Sequence, residues 1–290
     1  MLAAAARGEP PVAPLALPPG TRALVVAPHP DDESIGAGGL LRRLGPHATV
    51  VVVTDGDGYP DGVNQMLRNA RPAAAADFLA YGRRRHDEAA AAVAALGVPA
   101  GSLRFLGFPD GGLDALWADH WSADRPWTSP WTGAARAAPA DGAALPYTGE
   151  ALTAELERLV ATLRPTLIVV PDPEDVHADH ATAGRFVIEA LERLAPSPAP
   201  DVLAYLIHDP VWPPLASEGW GAPPPPARLA WGEWLGLDLT ADERHAKRRA
   251  VRAYATQIRA MPELLRKFLR RRELYRRLPP LERAAIAARH

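Results

Sequence analysis

The sequence predicts an α/β fold: a Rossmann-like parallel sheet with helices on both faces, plus long loops and a basic, helical C-terminal segment. Two observations predict this class. Short apolar runs alternate with longer helical stretches, which is the pattern of βαβ units. The run at 23–27 is apolar throughout, which is typical of a strand covered on both faces of a sheet, and the run at 166–170 is β-branched and mostly apolar.

Five strands and six helices are predicted from the position of these runs. The strands are expected at 23–27, 49–54, 103–106, 166–170 and 202–207. The helices are expected at 36–44, 78–96, 149–163, 181–194, 241–259 and 263–278. Residues 57–77 and the Trp-rich stretch 116–146 are predicted to be long active-site loops, because loops of this length are uncommon without a function.

The composition limits the chemistry of any site. The chain has 290 residues, of which 48% are hydrophobic and 23% charged, and this is ordinary for a globular protein. It contains no cysteine, so disulfides and Cys-ligated metal centres are excluded. Any metal must therefore be held by histidine and carboxylate side chains.

Three segments are predicted: a Pro-rich arm (1–20), a main domain (21–240) and basic helices (241–290) packed on the same domain. The last segment has 15 Lys and Arg against five Asp and Glu. It could bind nucleic acid or anionic lipid, but docking on the acidic body is favoured. We expect no nucleic-acid partner, no membrane span and a cytoplasmic location, because no signal-peptide or membrane-span pattern is present. Whether the protein forms a homo-oligomer is left open.

Two acidic, His-bearing loops follow the apolar runs. The first is Pro-His-Pro-Asp-Asp-Glu at 28–33, and the second, at 171–180, ends in His-Ala-Asp-His. Unpaired carboxylates beside a buried strand need a compensating partner, and a divalent metal is the obvious one. The alternative is a polar turn that caps the next helix. Loops at the carboxyl ends of parallel strands meet in one crevice, so these two are expected to converge.

The two loops resemble the signature motifs of the LmbE-like, or PIG-L, family of zinc-dependent N-deacetylases. The resemblance continues at 85–88, 96–98 and 105–111, with a weaker echo in Tyr-Leu-Ile-His at 205–208. It implies a hydrolase that removes an N-acetyl group from a small amino sugar or glycoconjugate.

The resemblance also implies roles for particular residues. His29, Asp32 and His180 would hold Zn²⁺, or another divalent ion such as Fe²⁺, and Asp31 would be the general base toward the metal-bound water. His177 would protonate the leaving amine or stabilise the oxyanion. Asp179 would hold the His177 imidazole in one tautomer and raise its pKa. Two alternatives stay open: Asp31 as the ligand instead of Asp32, and Asp179 as a plain helix cap.

Arg85 and Asp110 would contact sugar hydroxyls by the same resemblance. The alternative for Arg85 is a structural pair with Glu88, one turn along the predicted helix. The Gly-Ala-Gly-Gly run at 36–39 is interpreted as small residues that let a helix approach the sheet closely. Asp175 departs from relatives that carry a tyrosine there. Either another group would assist at the oxyanion, with Tyr59 one possibility, or the metal and His177 would suffice.

Three rival functions are weighed. An Fe(II) oxygenase with a two-His-one-carboxylate triad fits the histidines, but such enzymes usually sit on β-rich jelly rolls. A non-catalytic protein that binds nucleic acid or lipid through its basic segment leaves both acidic loops unexplained. An amidase of the same family, acting on a larger acyl group or a non-sugar amine, cannot be separated from a deacetylase by sequence.

Overall fold

The computed structural model describes residues 12–138, 143–214 and 223–287. The strands within these ranges are β1 Val12–Pro14, β2 Ala23–Ala27, β3 Ala48–Thr54, β4 Leu103–Phe108, β5 Arg136–Ala137, β6 Leu145–Pro146, β7 Leu167–Pro171, β8 Asp201–Tyr205, β9 Glu233–Asp238 and β10 Arg272–Arg277. The helices are α1 Asp32–Leu44, α2 Pro60–Met66, α3 Ala75–Ala95, α4 Leu113–Ala118, α5 Gly149–Leu163, α6 Ala178–Leu194, α7 Ala241–Ala253, α8 Ala255–Ala260, α9 Pro262–Lys267 and α10 Pro280–Ala287.

One eight-stranded sheet dominates the described residues, in the order β1-β9-β10-β8-β7-β2-β3-β4. The five strands from β8 to β4 run parallel to one another, whereas β10 is antiparallel to both of its neighbours. A separate antiparallel pair joins β5 to β6. The predicted fold class, a mostly parallel sheet flanked by helices, is confirmed.

The central strand β2 shows why the sheet is covered on both faces. All five of its residues, Ala-Leu-Val-Val-Ala, are buried. Because side chains alternate along a strand, Val25 packs into the core that includes α1, α3 and α7. Val26 packs into the opposite core, with α4, α5, α6 and α10. An apolar run of this kind cannot face water on either side.

The order of the strands also decides where a ligand can bind. From β2 the chain proceeds outward through β3 and β4 on one side, while β7 and β8 extend the sheet on the other side. The sheet therefore reverses its direction of growth between β2 and β7. In open α/β sheets the crevice for ligands lies at the carboxyl end of such a pair, where the connecting loops diverge.

Helix α1, which follows β2, is broken at Ala37, where the backbone has φ −136° and ψ 17°. The break frees the amides of Gly39 and Leu40, which donate to the Glu273 carboxylate at 2.7 and 3.0 Å. It also frees the carbonyl oxygen of Ile35, which accepts from Lys247 Nζ at 2.8 Å. Strand β10 and helix α7 thus supply the partners that the helix itself lacks.

The small residues of α1 are needed for this close packing. A Cβ atom at Gly36 would lie 2.5 Å from the Tyr205 ring on β8, and one at Gly39 would lie 2.3 Å from Leu239. Both distances are shorter than real carbon contacts, so larger residues would push the helix off the sheet. The interpretation of the glycine run as a device for close approach is confirmed.

The C-terminal segment differs from its prediction. The prediction of a helix over 263–278 was wrong in its second half, which forms β10, a strand between β8 and β9. Glu273 and Arg276 are buried in β10, and their polar character obscured the strand. Strand β9 was not predicted either. The two predicted loops contain α2 in the first, and the end of α4 with β5 and β6 in the second.

The segment boundaries stay predictions, but the packing of their elements is clear. Residues 1–11 of the predicted arm lie outside the described residues, and 12–14 form β1, which pairs with β9. Helix α7 contributes Ala246, Ala250 and Val251 to the core shared with α1 and α3. No helix in the described ranges is both long and apolar enough to cross a membrane.

Candidate active site

Loops that follow β2, β3, β4, β7 and β8 meet at the carboxyl edge of the sheet around a cavity of about 270 Å³. The α8–α9 region closes it from above. The residues that line it are His29, Asp31, Asp32, Gly58, Tyr59, Arg85, Asp110, Gly111, His177, His208, Met261 and Leu264. The two loops predicted to converge therefore do so.

His29, Asp32 and His180 form a buried group whose ligand atoms lie within 4.8 Å of one another. Asp32 Oδ2 is 3.1 Å from His29 Nδ1 and 3.1 Å from His180 Nε2. Burial alone would raise the pKa of Asp32, but the two imidazoles hold it well below its usual value. Burial opposes protonation of His180, yet Asp32 and Asp175 raise its pKa to about 9.

This group fits a divalent metal ion. His180 is fully buried, and its ring nitrogens face Asp32 and Asp175 at 3.1 and 3.5 Å without the alignment of a hydrogen bond. Buried polar atoms without partners are uncommon in proteins. Two imidazoles and one carboxylate are also a donor set that zinc takes in catalytic sites. A second group, His29 with Asp110 and Asp179, lies on the other side of the His29 ring.

Asp31 lies beside the metal group but outside it. It occupies the N-cap position of α1 with φ 133°, an unusual backbone conformation for a residue other than glycine, and its side chain makes no capping bond. Its carboxylate is 3.2 Å from Arg85 Nη2. Burial and the neighbouring Asp32 raise the pKa of Asp31 to about 8. The geometry thus favours Asp32 over Asp31 as the ligand.

Arg85 lines the cavity, but the protein already uses much of its guanidinium group. Nη1 donates to the Gly56 carbonyl at 2.9 Å, and Nη2 donates to the Pro30 carbonyl at 2.7 Å. The alternative pair with Glu88 is not formed, because Glu88 accepts from Thr256 instead. Arg85 therefore holds the first signature loop in place, and contact with a substrate stays a prediction.

Asp110 reaches the cavity from the loop after β4. Its Oδ1 lies 3.2 Å from His29 Nε2, and its Oδ2 accepts from the Gly58 amide at 2.7 Å. Burial would raise the pKa of Asp110, but His29 lowers it, so the carboxylate is charged. The structure places Asp110 where the sequence predicted, on the wall of the same cavity.

Asp179 makes contacts other than the predicted one. Its carboxylate accepts from the amides of Gly111 and Leu113 at 2.7 and 3.0 Å and lies 3.2 Å from His29 Nε2. It is not the helix cap either, because the N-cap residue of α6 is His177. Asp179 therefore links the loop after β4 to the Nε2 side of the His29 ring.

His177 lacks the expected carboxylate partner. Its Nδ1 is buried without a hydrogen bond in the described ranges. Burial, together with His29 and His180, lowers the pKa of His177 to about 4. The expectation that Asp179 raises this pKa above its ordinary value was wrong, because the neighbouring imidazoles and the loss of solvent outweigh its charge.

Two residues of the site were not predicted to act there. His208 follows β8 and lines the cavity, with its ring 4.9 Å from that of His177 and 4.6 Å from that of His180. Asp175 is buried behind them, 3.5 Å from His180 Nδ1. The Tyr-Leu-Ile-His echo at 205–208 was the only sequence signal for His208. Because this histidine follows a predicted strand, as His29 and His177 do, the same pattern could have placed it at the site.

A sequence model of the GlcNAc-PI de-N-acetylase (PIG-L) family matches residues 24–191. The chain belongs to the PIG-L family. The match covers both His-bearing loops, whereas β8, His208 and the C-terminal elements lie beyond it. A comparison with curated protein sequences gives no match.

Solved structures with the same fold agree with this membership. The conserved protein TT1542 from Thermus thermophilus has 22% identity, a TM-score of 0.50, and coverage of 85% of this chain and 84% of its own. The N,N'-diacetylchitobiose deacetylase from Pyrococcus horikoshii has 18% identity, a TM-score of 0.53, and coverage of 89% and 84%. The zinc-inhibited form of teicoplanin deacetylase Orf2 has 20% identity, a TM-score of 0.53, and coverage of 89% and 97%.

Proposed function

We propose that this PIG-L family protein is a metal-dependent N-deacetylase that hydrolyses the N-acetyl group of an amino sugar or glycoconjugate. The observation that carries the proposal is the buried His29–Asp32–His180 group, which shares its cavity with the unusually placed Asp31 carboxylate. The PIG-L family match and the deacetylases among the structures of similar fold support the same reaction class. An oxygenase is disfavoured, because the sheet is parallel and flanked by helices.

His29, Asp32 and His180 would hold the metal, with zinc the ion that this donor set favours. Bound there, the ion would supply Lewis acidity to the amide carbonyl and to a water molecule. Asp31 would take the proton of the attacking water. Its raised pKa fits this role, because a base must hold a proton once it has accepted one. A nearby cation would lower that pKa from about 8 toward neutrality.

His177 would serve the leaving side of the reaction. An amine leaves poorly unless it is protonated, so an amidase needs a proton donor on that side. With its low pKa, His177 is neutral in the unliganded site. It would act as acid only by passing on to the leaving amine the proton that Asp31 takes from the attacking water. Asp179 would act indirectly, since it fixes His29 and the loop that carries Asp110. Arg85 and Asp110 would border the sugar hydroxyls.

The test is acetate release from a panel of N-acetylated sugars and glycoconjugates by the metal-loaded protein. Protein stripped with a chelator and then dialysed serves as the matched control. We expect release from at least one substrate, lost on stripping and restored by Zn²⁺. If the metal-loaded and folded protein releases no acetate from any of them, deacetylation of these substrates is not its function.

One observation favours a second candidate, an amidase that acts on a larger acyl group. Met261 and Leu264, from the α8–α9 region, give the cavity an apolar wall opposite the charged groups. An apolar wall of this kind would accommodate a longer acyl chain. Parallel assays with N-acetyl, N-butyryl and N-hexanoyl derivatives of one amino sugar separate the two, because the preferred chain length gives the highest kcat/KM.

A further inference from the structure

We propose that His208 is a further catalytic residue, whose ring N–H donates a hydrogen bond to the acyl oxygen of the bound amide. The inference rests on the proposed amide hydrolysis and deepens it, because it assigns a group that stabilises the charge developing on that oxygen. His208 lies outside the segment that matches the PIG-L family, so the family match gives it no role.

The position of the ring supports the assignment. His208 lines the same cavity as His29, Asp31 and His177. Its ring packs edge-to-face on His180, with the ring centroids 4.6 Å apart and the planes at 88°. His208 is thus next to one predicted metal ligand and also next to the predicted acid, His177, whose ring centroid is 4.9 Å away. A carbonyl bound at the metal group would lie within reach of this imidazole.

The His208 ring can also donate a hydrogen bond to a ligand. His208 is half-buried and lines the cavity, and none of the hydrogen bonds found across the described residues uses its imidazole. An imidazole carries a donor in every protonation state, so it can serve the acyl oxygen without changing its charge. A ligand in the cavity can therefore take this donor without displacing a partner within the described ranges.

Asp175 anchors the backbone that carries this ring. Its Oδ2 accepts from the amides of Ile207 and His208 at 3.1 and 3.0 Å, and its Oδ1 accepts from the amide of His177 at 2.9 Å. The His208 carbonyl in turn accepts from the Val176 amide at 3.2 Å. One buried carboxylate therefore joins the loop after β7 to the loop after β8, and fixes the backbone of both histidines, whose ring centroids are 4.9 Å apart.

A fixed donor is what charge stabilisation requires. When water adds to the amide carbon, the carbonyl oxygen gains negative charge, and a donor already in position lowers the barrier without reorganisation. No covalent bond to His208 forms and its proton is not transferred. Loss of one such donor typically lowers kcat by about 10²–10³-fold.

The experiment compares His208→Ala, His208→Gln and the control Val211→Ala in the metal-loaded full-length protein, with metal content and thermal melting recorded for each. Val211 is three residues away and 80% exposed, and it does not line the cavity. We expect His208→Ala to lose about 10²-fold in kcat with little change in KM or metal content. His208→Gln should recover part of the loss, because its amide N–H can donate. Val211→Ala should match the wild type.

The proposal is overturned if kcat of His208→Ala stays within about threefold of the wild type, or if His208→Gln is no better than His208→Ala. It is also overturned if His208→Ala loses its metal, since His208 would then be a ligand. If the wild type hydrolyses none of the amides tested, the proposed function fails, and acetate binding then tests whether His208 contacts a ligand oxygen. Acetate should then bind about tenfold more weakly to His208→Ala, and equal affinities would refute the contact.

Discussion

Replacing Glu273 with glutamine is expected to destabilise the protein strongly, although the residue lies far from the catalytic loops in sequence. Glu273 and Lys247 are 5% and 2% exposed, and their charged atoms are 2.6 Å apart. The Glu273 carboxylate also accepts from Gly39, Leu40 and the Tyr275 hydroxyl. It therefore neutralises a buried ammonium group and completes the broken helix α1.

The magnitude follows from which groups lose a partner. Removing one member of a buried ion pair typically costs about 3–5 kcal/mol, because the other charge is left uncompensated. Glutamine replaces one of the two carboxylate oxygens with an NH2 group. Because the amides of Gly39 and Leu40 donate to different oxygens, one of them also loses its acceptor, at a further cost of about 1–3 kcal/mol. We expect Glu273→Gln to lose at least about 3 kcal/mol in the free energy of unfolding.

The double variant Lys247→Met/Glu273→Gln is the matched control. It removes both charges and keeps an acceptor for one of the two α1 amides, as Glu273→Gln does, but it leaves no uncompensated ammonium group, so it should be more stable than Glu273→Gln alone. Urea unfolding followed by circular dichroism measures all three variants, Lys247→Met included, and gives the coupling energy of the pair. A loss below about 1 kcal/mol for Glu273→Gln, or a double variant no better than the sum of the singles, would refute the reasoning.

The remaining predictions concern the site. His180→Ala should abolish stoichiometric retention of a divalent ion, and unchanged metal content by elemental analysis in a folded variant would exclude this ligand set. Asp31→Asn should keep the metal and lose about 10²–10⁴-fold in kcat, because an amide cannot accept the proton of water; a loss below about threefold would point to another base. His177→Ala should damage hydrolysis of an N-acetyl amine far more than hydrolysis of an activated aryl ester, whose leaving group departs unaided. Because the pKa of His177 is about 4, the pH–rate profile above about pH 6 should keep its shape in this variant. Equal losses on both substrates would leave His177 as an oxyanion donor.

The parallel part of the sheet could be predicted because its strands carry their own signal. The apolar run of β2 is found at the predicted residues, and β7 is shifted by one residue from its prediction. Each is followed by a short loop with Asp and His, so the convergence of the two loops could be predicted, because loops at the carboxyl ends of parallel strands meet in one crevice. The particular set of His29, Asp32 and His180 came from the resemblance to the family.

Polar residues inside the C-terminal strand could not be recognised in the same way. Arg276 in β10 is fully buried, and its guanidinium pairs with both oxygens of Asp172 at 2.8 Å. In the sequence it is one of many arginines in a basic segment, which favours a solvated helix. A buried arginine is identified only by its partner, and this partner is 104 residues away.

The sequence by itself determined the class of fold, the two loops that carry the chemistry and the kind of ligand that those loops can hold. These properties follow from local patterns, since an apolar strand and the polar turn after it are neighbours in the chain. The tertiary structure decided which carboxylate contacts which histidine. Asp179 contacts His29 rather than His177, and Asp175 holds His208, because contacts across the cavity join loops from different strands. Spacing along the chain does not encode those distances.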